Sequence, residues 1–222
     1  DVDDVISDTT ITYPTLLKKH FGKTIPFEAI TSFDLGKSFN LHKEELDRFM
    51  QIAHSPEVIT KYQPRAGAIE SMNSFISMGY EVAIVTGRPP SSKQLTEEWL
   101  AKHNISFHHL FFVDKYSRIL PGAYPSNAIS LDALAKMNFC FAVEDSSDMA
   151  RFLSEDMQIP VALLDRPWNR NSQYQDHAAS SLVNRCHTWD EVMEIFLSRK
   201  QNNHNKTIFL SRKQNNHNKT KN

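Results

Sequence analysis

Three polar clusters in this sequence combine residue types that can do chemistry together. The chain opens Asp1-Val2-Asp3-Asp4-Val5, one apolar run ends at Thr86-Gly87-Arg88, and another ends at Glu144-Asp145. Side chains alternate along an extended segment with period 2, so Asp1 and Asp3 are expected on the same side. Two carboxylates held together repel unless a cation or a proton lies between them. Acids from two separate segments suit Mg²⁺, which takes carboxylate oxygens, waters and the oxygens of a substrate phosphate. A lone acid after an apolar run is ordinarily a helix N-cap, which is the competing account of Asp145. Asp4 reads as a solvated or capping acid.

The elements that must position these clusters are legible as apolar runs of strand length. Residues 80–85, 109–113, 139–143 and 160–164 are short, continuous and rich in β-branched or aromatic side chains, as in strands buried on both faces. Cys140 falls inside the third run and reads as a small hydrophobe. Helical patterns lie between the runs: residues 66–78, 92–103, 127–137 and 147–157 each gather apolar side chains on one face. The alternation implies an α/β fold, a Rossmann-like parallel sheet with helices on both faces. Each polar cluster then falls at the carboxyl edge of the sheet, where open α/β sheets bind ligands. Residues 9–63 break the rhythm with Pro14, Pro26 and Pro56 and amphipathic runs at 13–21 and 43–52. They are expected to form a small helical cap inserted after the first strand. The core would comprise residues 1–8 and 64–197.

Composition narrows the function class. The chain has 222 residues, 40% hydrophobic and 23% charged, with a net charge of -1. That sum conceals an acidic body and a basic tail: from Ser198 onward there are seven Lys or Arg and no acid, leaving 18 positive against 26 negative charges before it. The balance argues against dedicated nucleic-acid binding. No run of apolar residues is long enough for a helical membrane span. Two cysteines are too few for a disulfide framework and fit a reducing, cytoplasmic setting. Residues 195–207 are repeated without change at 208–220, and residues 198–222 read as a polar, disordered tail. Ile195, Phe196 and Leu197 would finish a helix begun at Asp190. The chain opens on Asp rather than Met, so a processed, trimmed or incomplete chain is expected, and the first strand is almost absent.

The order Asp1-Val2-Asp3, Thr86-Gly87-Arg88, Glu144-Asp145-Ser146 resembles the haloacid dehalogenase-like hydrolases. The run Asp165-Arg166-Pro167-Trp168-Asn169-Arg170 is most similar to the branch of 5'(3')-deoxyribonucleotidases and related bacterial nucleotidases. The resemblance implies a Mg²⁺-dependent phosphomonoester hydrolase with a small phosphorylated substrate, the expected one a nucleoside monophosphate. It implies Asp1 as the nucleophile that becomes an aspartyl-phosphate, and Asp3 as general acid and then base. It implies Thr86 as a donor to a phosphoryl oxygen. Metal binding would fall to Asp1, Asp145, the backbone carbonyl of Asp3, and Glu144 directly or through water. An acid at position 3 also favours a phosphatase over a dehalogenase.

The sequence departs from the family pattern in two more places. The helix start at Tyr124-Pro125-Ser126-Asn127 lacks the usual lysine, for which Lys115 is the first candidate and Lys136 the second. The last motif is Glu-Asp rather than Asp-Asp. Gly87, Arg88, Trp168 and Asn169 are expected to bind substrate, Arg88 by meeting its phosphate or else by pairing with an acid. Tyr13, Phe33 and Phe39 are candidates for stacking on a base, although packing between cap and core is the commoner role of such rings. The rival functions are hydrolysis of another phosphomonoester such as a sugar phosphate, and a non-catalytic binding or scaffold role.

Overall fold

The computed structural model describes residues 1–114, 128–170 and 182–202. Five short strands are present among them. β1 (Ala83–Thr86) and β2 (His109–Phe112) pair in parallel, Ile84 opposite Leu110. β3 (Ala142–Glu144), β4 (Val161–Leu164) and β5 (Val183–Cys186) form a second parallel sheet in that order. β4 is buried at every position. Ala162 and Leu164 face the main core, whereas Val161 and Leu163 face a smaller cluster with Leu153 and Ile159. That alternation is the period-2 consequence of a sheet covered on both faces, and the fold is the expected α/β class.

Residues 9–63 carry helices and no strand among the described residues: α1 (Tyr13–Phe21), α2 (Leu35–Phe39), α3 (Lys43–Ala53) and α4 (Pro56–Ile59), with short 3-10 turns between. α1 stops at Gly22, whose left-handed φ of 67° turns its N–H back to the Lys18 carbonyl. The ring of Phe49 is met edge-on by Tyr13 and Phe39, at 5.1 and 5.0 Å between centroids. The insertion is pinned where it leaves and returns. Ser7 bridges to Pro64, the Asp8 N–H donates to the Gln63 carbonyl, and the Arg65 N–H donates to that of Ile6. One apolar cluster runs through insertion and body alike, from Leu17 and Phe49 to Val2, Ile84, Trp99 and Leu164.

The remaining helices are α5 (Ala68–Ser77), α6 (Lys93–Lys102), α7 (Leu131–Leu134), α8 (Ser147–Arg151) and α9 (Trp189–Asn202). Several differ from the sequence reading. The helix expected over 127–137 shrinks to α7, because Ser130 caps it through the Ala133 N–H and Ile129 bridges to Val113. α8 passes into a π-helical turn, Phe152–Asp156. β3 starts at Ala142, so Cys140 lies in an exposed bend outside any strand. β5 carries Asn184 and Arg185 and so lacks the apolar run of the other strands. The expected tail start at Ser198 is also corrected: α9 runs to Asn202, since nothing in Ser198-Arg199-Lys200 breaks a helix. Residues 203–222 lie outside the described residues.

Candidate functional site

The first residues place carboxylates at the ends of both sheets. Val2 is fully buried in the main core, and its carbonyl accepts the N–H groups of Ile6 and Ser7, which curls the segment instead of letting it run as a strand. Asp1, Glu144 and Asp145 come together so that one carboxylate oxygen from each lies within 4.8 Å of the others. Glu144 and Asp145 are each only 4% exposed. Three carboxylates this close, two of them buried, fit a hard divalent cation by donor type. Glu144 Oε2 accepts the backbone N–H groups of Asp145 and Ser146, which turns the chain from β3 towards α8. The N-cap of α8 is Ser146, whose hydroxyl accepts the Met149 N–H, so the capping account of Asp145 falls away.

The Asp3 carboxylate is not one of those three. Arg88 grips it with two hydrogen bonds, Nε to Oδ2 at 2.9 Å and Nη2 to Oδ1 at 2.6 Å, and the Thr9 hydroxyl donates to Oδ1 at 2.7 Å. Burial works to raise the Asp3 carboxyl, but the charge and hydrogen bonds of Arg88 prevail and bring it down to about 2. Arg88 is itself 3% exposed and also donates to the Thr96 hydroxyl. Of its two expected roles, the structure supplies the pairing with an acid. Thr86, fully buried, accepts the Arg88 N–H through its hydroxyl oxygen, and Gly87 is half-buried between them. His54, at the end of α3, donates from Nδ1 to the Met50 carbonyl at 2.8 Å. Burial lowers its pKa against the pull of the Asp3 charge.

Asp4 takes a left-handed φ of 58° and turns its carboxylate inward, where it accepts the Thr10 N–H and hydroxyl. Burial, opposed by those bonds, lifts its pKa to about 7. It is neither solvated nor a cap of a regular helix. Of the two lysine candidates, Lys136 is exposed just beyond α7, and Lys115 lies outside the described residues.

Trp168 and Asn169 differ in place. Trp168 is half-buried; its Nε1 donates to Asp145 Oδ2 at 3.0 Å, and its ring meets Phe27 and Phe33 edge-on at 5.9 and 5.8 Å. Asn169, also expected to bind substrate, is fully buried. Its amide reaches the Asp145 and Leu164 carbonyls, each at 2.8 Å. Of the three candidate stacking rings, Tyr13 and Phe39 are buried against Phe49, and only Phe33 stands beside the site. Sequence reasoning missed Phe27, Thr9 and Arg185; nothing in their local pattern sets them apart.

The parallel sheets, with acids gathered beyond their carboxyl ends, define a haloacid dehalogenase-like protein. A model of the family described as PITM 1-3, LNS2 domain matches residues 46–158, about half of the chain, and the chain belongs to that family. It is also 28% identical over 170 residues, 77% of this chain and 80% of the other, to a protein of Halalkalibacterium halodurans named "Putative nucleotidase". A Bacillus subtilis protein of the same designation is 23% identical over 196 residues, covering 87% and 90% of the two chains. Among solved structures, the fold is similar to a predicted phosphatase from Clostridium acetobutylicum (TM-score 0.52, 12% identity). It is similar also to a putative beta-phosphoglucomutase from Thermotoga maritima (TM-score 0.51, 14% identity). Each alignment covers 89% of this chain and 96% of the other. Among the described residues, no helix is long and apolar enough to cross a membrane.

Proposed function

We propose that the protein is a Mg²⁺-dependent phosphomonoester hydrolase that works through an aspartyl-phosphate on Asp1 and acts on nucleoside monophosphates. The observation that carries this reading is the convergence of Asp1, Glu144 and Asp145 within 4.8 Å at the carboxyl ends of the sheets. Mg²⁺ bound by these three would neutralise the charge between the acids and the phosphate, the main obstacle to phosphoryl transfer. The Asp1 carboxylate attacks phosphorus, the bond to the alcohol oxygen breaks, and the alcohol leaves with a proton. Water then attacks the phosphorus of the acyl phosphate, giving up a proton and releasing inorganic phosphate and free Asp1. As Arg88 holds it, Asp3 is a carboxylate, suited to take the proton from that water. Supplying the leaving alcohol with a proton in the first half requires the Arg88 contact to loosen.

Two features support the nucleotide class over a bare sugar phosphate. One is the likeness to proteins named as nucleotidases. The other is the group of rings from Phe27, Phe33 and Trp168 beside Asp145, a surface suited to a flat base. The test is a phosphatase assay across nucleoside monophosphates and sugar phosphates, with Mg²⁺ and with EDTA. Hydrolysis is expected to need Mg²⁺, to favour nucleotides, and to vanish in Asp1→Asn, whose amide is a poor nucleophile. Full activity in chelator, or wild-type turnover by Asp1→Asn, overturns the mechanism; a preference for sugar phosphates overturns the substrate class.

A further inference from the structure

The segment after β4 holds a buried side chain with an unusually complete set of partners. Asn169 Nδ2 donates to the carbonyls of Asp145 and Leu164, both at 2.8 Å. Its Oδ1 accepts the Arg166 N–H at 3.2 Å and Arg185 Nη1 at 2.6 Å. An amide offers two donors and two acceptor positions, so these four bonds fill it and fix its plane. Arg185, on β5, also donates from Nη2 to the Asn169 carbonyl at 2.9 Å and from Nη1 to Asp165 Oδ1 at 2.8 Å. Asp165 in turn holds Arg170. The guanidinium therefore ties down both the side chain and the backbone of Asn169.

We propose that Asn169 and Arg185 are positioning residues for the metal-binding Asp145. The pair transmits the rigidity of β4 and β5 to the backbone of Asp145, while Trp168 steadies the carboxylate itself through Oδ2. This rests on the reading of Asp145 as a metal ligand. The need for such a pair follows from the place of Asp145, just past the end of a three-residue strand and ahead of a five-residue helix. Without the Asn169 amide its carbonyl would lose a buried donor, and the carboxylate would sample orientations that do not converge with Asp1 and Glu144. Outer hydrogen-bond partners of metal ligands typically contribute about 10–100-fold to metal affinity or activity.

The experiment is a Mg²⁺ titration by calorimetry on the full chain without substrate, with the melting temperature in EDTA measured for each variant. Asn169→Asp keeps the shape and both acceptor contacts, but turns an oxygen towards the carbonyls of Asp145 and Leu164. Mg²⁺ affinity is expected to fall about 10–100-fold. Arg185→Met should weaken Mg²⁺ binding in the same direction, and Arg185→Lys should recover part of the loss. A variant that melts earlier yet binds Mg²⁺ as tightly as wild type assigns the residues a purely structural role and overturns the proposal. If Asn169→Asp does not fold, Arg185→Met decides: unchanged affinity overturns the proposal, and weakened affinity restored in part by lysine upholds it. Wild-type protein that binds no Mg²⁺ overturns both this inference and the function on which it rests. Wild type that binds Mg²⁺, with variants unaffected, removes the inference alone.

Discussion

Asp3 and Asp4 are adjacent acids with opposite electrostatics. Arg88 reaches Asp3 across the fold and holds it ionised, while Asp4 turns inward and its carboxylate accepts the neutral N–H and hydroxyl of Thr10. Its pKa of about 7 in the folded protein lies well above the ordinary aspartate value. A raised folded-state pKa contributes stability that is complete below the unfolded value, about 3.9, and is lost as pH rises through the folded value. The metal-free protein should therefore lose stability between roughly pH 4 and 7 on account of this one group. Asp4→Asn removes the titration, and asparagine tolerates the left-handed backbone. One unit of pKa is worth about 1.4 kcal/mol, so even half of the shift implies roughly 2 kcal/mol. In EDTA at pH 8 the variant should melt about 4–8 °C above wild type, the difference closing by pH 4. Parallel melting curves across that range would contradict the account. The sequence showed the types and order of the site residues, because each cluster sits at the end of an apolar run. It was silent on which partner each acid takes. Period 2 sets the side on which a residue lies, whereas the Asp3–Arg88 pair depends on how Asp1–Ser7 curls between the two sheets.

The elements that carry the site are short, and their junctions matter more than their lengths. Gly67 starts α5 with φ of 80°, and a Cβ built there would lie 3.0 Å from the Cβ of Trp189. That tryptophan is buried and donates from Nε1 to the Val5 carbonyl at 3.0 Å, so the start of α9 braces the opening loop against α5. Gly67→Ala would force both a left-handed alanine and a backward shift of Trp189. The expected cost is about 1–3 kcal/mol, read as a lower denaturant midpoint with an unchanged slope. A neutral outcome would show that α5 and α9 separate freely. The strand runs at 109–113 and 160–164 were legible because full burial requires unbroken apolar residues. β5 was not, because Asn184 and Arg185 are polar residues within a strand that pairs on the described side with β4 alone. The helix at 127–137 was overread: apolar period alone cannot show that Ile129 is taken by a bridge to Val113. The end of α9 was placed too early because a polar composition is compatible with helix as well as with disorder.

At the scale of the molecule, the insertion and the body share one apolar cluster, so they should unfold together. Calorimetry should give a single transition whose calorimetric and van't Hoff enthalpies agree; two resolved peaks would make the insertion an independent unit. A bound ion stabilises the folded state by mass action, so Mg²⁺ at about 100 times its dissociation constant should add roughly 2.7 kcal/mol. The duplicated sequence allows a sharper test of what closes the structure. In the first copy Phe196 is buried against Phe75, Tyr80 and Phe141, at 4.8, 5.0 and 5.3 Å between ring centroids. The second copy repeats the same Ile-Phe-Leu at 208–210, followed by the same polar residues. Because α9 is anchored upstream by Trp189 and Val192, the first phenylalanine reaches that slot without a detour. Phe196→Ala should therefore cost about 3–5 kcal/mol, as for other buried phenylalanines. Deleting residues 203–222 should leave melting temperature and turnover within error, since the slot is already filled. If the deletion destabilised the wild-type chain, residues 203–222 would have to contact the body. If it destabilised only Phe196→Ala, Phe209 would be the substitute that fills the vacant slot, and the repeat would act as a spare closure for the core.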